Sequence, residues 1–289
     1  MLNRIYKADM KRKIIKLIIV LLPIISCYSA AYGQDESNDI EAILETYNAS
    51  IGQFINLYGC GHILDAPAYA LKKTQNITLD ALLLLDGEDE EALGREVMKE
   101  MRSALKIQKD HWAEPTVKSI LGRLQKHVER KEISYKVHIV ETEEINAFAT
   151  VGGNIFVTTA LMDFVESNDE LAFIIGHEIA HVDRYHTLRK YKKLALAASI
   201  TDLVNMDQLT SVASDIDLVL NAPFDQIDEY EADQYGVELA KKAGFNAQRF
   251  TDFFKKQAQY ENKDIVGKLM GTHPFAEDRV NCMQEYINK

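Results

Sequence analysis

His177-Glu178-Ile179-Ala180-His181 is the stretch on which the reading of this chain turns. On a helix, the four-residue spacing brings both imidazoles to one face, one turn apart, where they can hold a single zinc ion. Glu178 stands beside them as the expected general base, acting on a water whose pKa zinc has lowered towards neutrality. The helix is well signalled. Ser167 and Glu170 have the spacing of a capping box, so residues 169–189 are expected to be helical, with Leu171, Ile174, Ile175 and Ile179 packing inward. Taken alone, the motif also has a plainer reading, in which the histidines cap or pack and Glu178 is a solvated helix residue.

A catalytic zinc takes three protein ligands and keeps one position open. After Pro223 a helix is expected over residues 225–243, ended by Gly244, and it carries Glu229-Tyr230-Glu231-Ala232-Asp233. Glu229 is the candidate third metal ligand. Asp233 lies one turn later on the same face, where a carboxylate can orient a ligand imidazole, whereas Glu231 is expected to point elsewhere. Without the upstream histidines, this run would read as an ordinary solvent-facing acidic face.

Upstream, the period changes at Ile133. Ile133, Tyr135, Val137 and Ile139 alternate with Ser134, Lys136, His138 and Val140 as in a half-buried strand. Two more strands are expected over 144–150 and 155–159, joined by Gly152-Gly153, a pair able to adopt the positive φ angles of a tight hairpin. An edge strand beside the metal helix suits an extended peptide bound through its backbone, and Ile155, Phe156 and Val157 are the candidates for that edge, with a purely structural hairpin as the alternative. Residues 38–57 repeat apolar positions at three- and four-residue steps, and 78–132 reads as further helices bounded at Gly87 and Pro115. Residues 191–220, 246–260 and 277–287 are helical in tendency. Before the last of these, Thr272-His273-Pro274 places an imidazole at a rigid turn, with Arg279 shortly after.

The chain has 289 residues, 47% of them hydrophobic, enough for a substantial core. Its opening carries six basic residues, then an apolar stretch from Leu17 to Ser26, then small residues to Gly33. That is the layout of a secretory signal rather than a membrane span. Cleavage before Gln34 competes with a lipobox reading of Ile24-Ile25-Ser26-Cys27, in which a lipidated Cys27 would tether the protein to a membrane. The formal charge of −11 becomes about −16 once residues 1–33 are removed, which argues against nucleic acid as a partner. Cys60 and Cys282 either close one long disulfide loop in an oxidising compartment or stay as two thiols.

The ordered set Asn146-Ala147-Phe148-Ala149, Gly152-Gly153, Thr158-Thr159-Ala160-Leu161, Glu170-Leu171, His177 to His181 with His186, Glu229 to Asp233, and His273-Pro274 with Arg279 resembles the M48 family of zinc metallopeptidases. The resemblance covers about residue 133 to the C-terminus. It implies zinc ligation by His177, His181 and Glu229, catalysis by Glu178, and a role for His273 near the metal, bracing the transition state or closing the open position in a latent form. One departure is Ala160, where the family block has Gly. The expected fold class is α+β: a mostly helical, zincin-like domain over 131–289 with a small β-sheet and an edge strand beside the metal helix. Residues 1–33 (1–26 for a lipoprotein) are then the signal and 34–130 a helical N-terminal extension. The implied function is zinc-dependent peptide-bond hydrolysis with one Zn2+ per chain. Implied partners are polypeptides, misfolded or unassembled envelope proteins, met in the periplasm or at a membrane face. The integral-membrane members' apolar spans are missing after the export signal, and no tetratricopeptide pattern follows. A zinc-containing chaperone or binding module without proteolytic activity is the rival reading.

Overall fold

The computed structural model describes residues 72, 73, 76, 80, 87–198, 220, 224–258 and 277–288, all within one compact unit, Gln53–Lys289. The expected export segment, the 38–57 helix, Cys27, Cys60 and His273 lie outside the described residues.

Helix α1 (Gly87–Ala104) opens on Glu88, Asp89 and Glu90, charges that suit the positive end of a helix dipole. Its Leu93, Val97 and Met101 form a buried stripe against Val140, Phe156 and Tyr191. Helix α2 (Glu114–Leu124) carries Pro115 in its first turn, where the missing N–H costs no intrahelical bond, and buries Val117, Ile120, Leu121 and Leu124. Three strands follow, β1 (Lys136–Val140), β2 (Ala147–Thr150) and β3 (Asn154–Thr158). They form a mixed sheet of order β1-β3-β2, parallel on one side of β3 and antiparallel on the other. The hairpin between β2 and β3 turns at Gly152 and Gly153, with φ angles of 81° and 80°.

One expectation is corrected here. The strand taken for an edge, Ile155 to Val157, is the central one, buried at every position and paired on both sides. Its unbroken apolar run was the signal, since a strand covered on both faces does not alternate. The edge next to the metal helix is β2 instead.

Helix α3 (Thr159–Phe164) leads into α4 (Asn168–Asp183), the helix of the paired histidines. The Ser167 hydroxyl accepts the Glu170 N–H, while the Glu170 carboxylate accepts the Glu166 N–H, one residue before the capping-box position. Helix α4 is buried from Glu170 to Asp183, apolar and polar positions alike, as in a central core helix. It ends six residues sooner than its pattern suggests, because Tyr185 adopts a left-handed φ of 63° and a new helix, α5 (His186–Ala198), starts at once. Helix α6 (Gln226–Lys242) is capped by Asp225 and packs along α4 more extensively than any other helix. Gly176 and Gly236 face each other at the crossing: a Cβ on Gly236 would come within 2.9 Å of the His177 nitrogen. A short 3-10 turn (Ala247–Arg249), α7 (Phe250–Ala258) and α8 (Glu277–Asn288) complete the described chain. Cys282, fully buried on α8, is half of a disulfide whose other sulfur lies outside the described residues. Among the described residues no helix is long and apolar enough to cross a membrane. The class is α+β, mostly helical with a small sheet.

Candidate metal centre

The close crossing of α4 and α6 aims two helix faces at one point. From α4 come His177 and His181, and from α6 come Glu229 and, one turn on, Asp233. The two Nε2 atoms are 3.0 Å apart. Glu229 sends one carboxylate oxygen to within 3.5 Å of His177 Nε2 and the other to within 3.4 Å of His181 Nε2. Ligand atoms about 2.0–2.1 Å from a tetrahedral ion lie about 3.3–3.4 Å from one another, so these separations suit a shared metal. Two imidazoles and a carboxylate are also a donor set that zinc favours, and all three are buried.

Asp233 meets His177 from behind, with Oδ1 3.0 Å from Nδ1. Arg279 of α8 grips that carboxylate with two bonds of 2.7 and 2.8 Å and reaches Glu229 at 2.9 Å. Burial opposes the Asp233 charge, but Arg279 and His177 override it and hold the carboxyl below its ordinary range. Burial also opposes a charge on His177, yet Asp233 and Glu229 raise its pKa to about 10. The pocket thus has a strong appetite for positive charge at the point where the two Nε2 atoms and Glu229 converge.

His181 is held by a different apparatus. Phe224 stacks on its ring with centroids 3.8 Å apart, and the Lys190 ammonium lies 4.6 Å from the Phe224 centroid. Burial pulls that ammonium down to about 8 although Glu178 and Glu229 favour its charge. His181 Nδ1 is 3.2 Å from Nδ1 of His186. The far nitrogen of His186 is 3.3 Å from both Asp228 and Glu231. Lys72 bonds Asp228 and Asp225, and Arg184 bonds Glu231 at 2.7 Å. Glu178, buried on α4, adjoins His177 in the chain.

The structure therefore brings His177, His181, Glu229 and Asp233 together, keeps Glu178 buried beside them, and leaves His273 outside the described residues. Glu231 does not point to solvent, since it reaches His186. Asp228 and Lys72 are additions that no sequence signal singled out. Their one trace is the three-residue step from Asp228 to Glu231, which marks a second face of α6. Arg279 was noted as a neighbour of His273-Pro274, with no hint that its partners are Asp233 and Glu229.

A family model for peptidase family M48 matches residues 111–287. The chain belongs to peptidase family M48. Membership implies a metal cofactor, and this M48 domain holds a buried group of His177, His181 and Glu229 that could hold one. The chain is 25% identical over 246 residues to the beta-barrel assembly-enhancing protease of Yersinia pestis, covering 77% of this chain and 48% of that one. It is 27% identical over 178 residues to the metalloprotease LoiP of Escherichia coli (strain K12), covering 59% and 69%. It is 28% identical over 172 residues to the mitochondrial metalloendopeptidase OMA1 of Bos taurus, covering 54% and 33%. The chain spans about half the length, or less, of the assembly-enhancing proteases that it matches.

Proposed function

We propose that this M48 domain is a zinc-dependent metalloendopeptidase. The observation that carries the reading is the convergence of His177 Nε2, His181 Nε2 and both Glu229 oxygens at 3.0 to 3.5 Å, with Glu178 buried on the same helix. These three side chains would hold the ion, which when bound supplies a Lewis acid for the scissile carbonyl and lowers the pKa of the attacking water. Glu178 takes a proton from that water and hands it to the leaving amine, the two tasks of one general acid–base group. Asp233, fixed by Arg279, holds the Nδ1 side of His177 so that Nε2 stays turned inward. An extended substrate segment pairs with the side of β2 that has no strand partner among the described residues and is thereby drawn past α4. His273 takes a place near the metal by resemblance to the family, bracing the transition state or closing the open position.

In this reading the division of the chain is a leader over 1–33, or 1–26 with Cys27 lipidated, a helical extension over 34–130, and a catalytic domain over 131–289. The substrates are misfolded or unassembled envelope proteins, and the enzyme works in the periplasm or at a membrane face. The names of the assembly-enhancing relatives and the basic-then-apolar opening of the chain support this role.

The test is zinc content and casein cleavage measured side by side on the mature protein and its Glu178→Gln variant. One zinc per chain in both, with cleavage in the wild type alone, is the expected result. Zinc in both with cleavage in neither favours a binding module, and a wild type without zinc sinks the metal centre.

A further inference from the structure

We propose that His186 is a positioning residue for His181, fixing which of its nitrogens carries the proton and hence which one faces the metal. The inference rests on the metal-centre reading above and extends it to a second imidazole.

The bond directions follow from the end of the chain of contacts. His181 Nε2 faces His177 and Glu229, and a nitrogen that ligates a metal must present its lone pair there. A neutral His181 then carries its proton on Nδ1. The atom opposite, 3.2 Å away, is His186 Nδ1, which has to accept. That leaves the His186 proton on Nε2, where Asp228 and Glu231 stand 3.3 Å away as acceptors. The Lys72 ammonium donates to Asp228 and the Arg184 guanidinium to Glu231, so both carboxylates face cations on one side and stand as acceptors towards His186 on the other, which sets the order of donors and acceptors from the far end inward. His181 and His186 are 0% and 1% exposed, which keeps water from substituting for either partner. Lys72 and Arg184 place positive charge against the carboxylates of the His186, Asp228 and Glu231 group, which opposes a further cation there and favours its reading as the end of a hydrogen-bond chain.

Backbone geometry supports the same role. Had α4 continued, residue 186 would sit about 140° around the helix from residue 181, since each residue turns roughly 100°. The left-handed Tyr185 stops the helix and folds His186 back onto the outer nitrogen of His181. The Arg130 guanidinium lies 4.0 Å from the Tyr185 ring centroid and covers this turn.

The experiment titrates zinc, against a chromophoric chelator, into the metal-free full chain as wild type, His186→Asn, His186→Gln and His186→Phe. Asparagine puts its amide oxygen where Nδ1 lies and keeps the acceptor for His181, whereas glutamine places its amide near Nε2 and keeps only the link to the carboxylates. The expected order is wild type, then Asn within about threefold, with Gln and Phe weaker by about 10- to 100-fold, the range for lost partners behind a metal ligand. In metal-free protein, nitrogen NMR of His181 should show the Nδ1–H form in wild type and the Asn variant and a mixture in the Gln variant. Melting temperatures of metal-free Asn and Gln variants control for a structural role, and these two suffice if the Phe variant does not fold. A wild type that binds zinc, with Asn no tighter than Gln or with Phe equal to wild type, overturns the proposal alone. A wild type that binds no zinc overturns it together with the metal centre.

Discussion

The two candidate ligand histidines, His177 and His181, sit one helical turn apart, yet the protein supports them in unlike ways. Behind His177 stands a carboxylate in direct contact, locked by a bidentate arginine from the last helix. Behind His181 stands another imidazole, and only behind that a divided pair of carboxylates, each with its own cation. The first arm puts a full negative charge against its ligand and strengthens it as a donor. The second passes orientation along while keeping formal charge farther from the point where the two Nε2 atoms and Glu229 converge. The difference shows how one helix, α6, serves both ligands. Its Glu229–Asp233 face feeds one arm and its Asp228–Glu231 face the other.

Arg279→Met tests the first arm and is expected to have the largest effect. Asp233 and Glu229 are both fully buried, and Arg279 is the cation that matches them. Removing one partner of such a group costs about 3–5 kcal/mol because the other charges remain inside. At about 2–4 °C per kcal/mol for a domain of this size, calorimetry should show a fall in melting temperature on the order of 10 °C. A melting temperature within 2–3 °C of wild type would mean that the first arm is not the stiffer of the two.

The first arm was largely legible in the sequence, and the second was not. His177, His181, Glu229 and Asp233 follow from helical spacing within two short runs, because a period of 3.6 converts sequence distance directly into a shared face. Fold class followed from the switch between that period and the strand alternation, and Gly152-Gly153 marked its hairpin. The second arm depends on a helix break, and Tyr185, an aromatic residue with a left-handed φ, carries no signal for one. Without the break His186 faces away from His181, and Glu231 then reads as a solvent residue. The mistaken edge strand has a related cause, since pairing on both sides of β3 depends on a parallel partner that enters from another part of the chain.

Lys72→Met strikes the far end of the second arm from a residue far upstream of the paired histidines in the chain. Its ammonium is buried against Asp225 and Asp228, so its charge stays matched against the penalty of burial. Burial opposes the Asp225 charge too, but Lys72 and Lys193 depress its pKa well below the ordinary value. A depressed carboxyl contributes stability that is present above its unfolded value, about 4, and is lost as pH falls towards the folded one. The raised Lys72 contributes below about 10.4 and loses its share only as pH rises past that value. The wild type should therefore exceed the variant by about 1–3 kcal/mol on a plateau between about pH 5 and 10, with the gap closing below pH 4. Urea midpoints across that range measure it, and a gap that is flat into acid would show that the pair does not stabilise the arm through its charge. Lys193 and His186 still face the two carboxylates, which keeps the loss smaller than for Arg279.

Arg184→Gln is the mildest break. The Arg184 side chain is 32% exposed and divides its bonds between Glu231 and the exposed Glu129. Water can replace much of what it gives, so stability should fall by less than about 1 kcal/mol, in line with partly exposed ion pairs. Glu231 keeps His186 as a partner after the change, and Asp228 continues to accept from the same nitrogen, so the orientation of His181 survives on one carboxylate. The expected loss of affinity is about two- to threefold, below the 10- to 100-fold typical when a ligand's own support is removed. A loss as large as that of His186→Gln would mean that the pair of carboxylates acts as one unit, with Arg184 fixing both; the second arm would then be as rigid as the first, and the contrast between them would lie in charge alone.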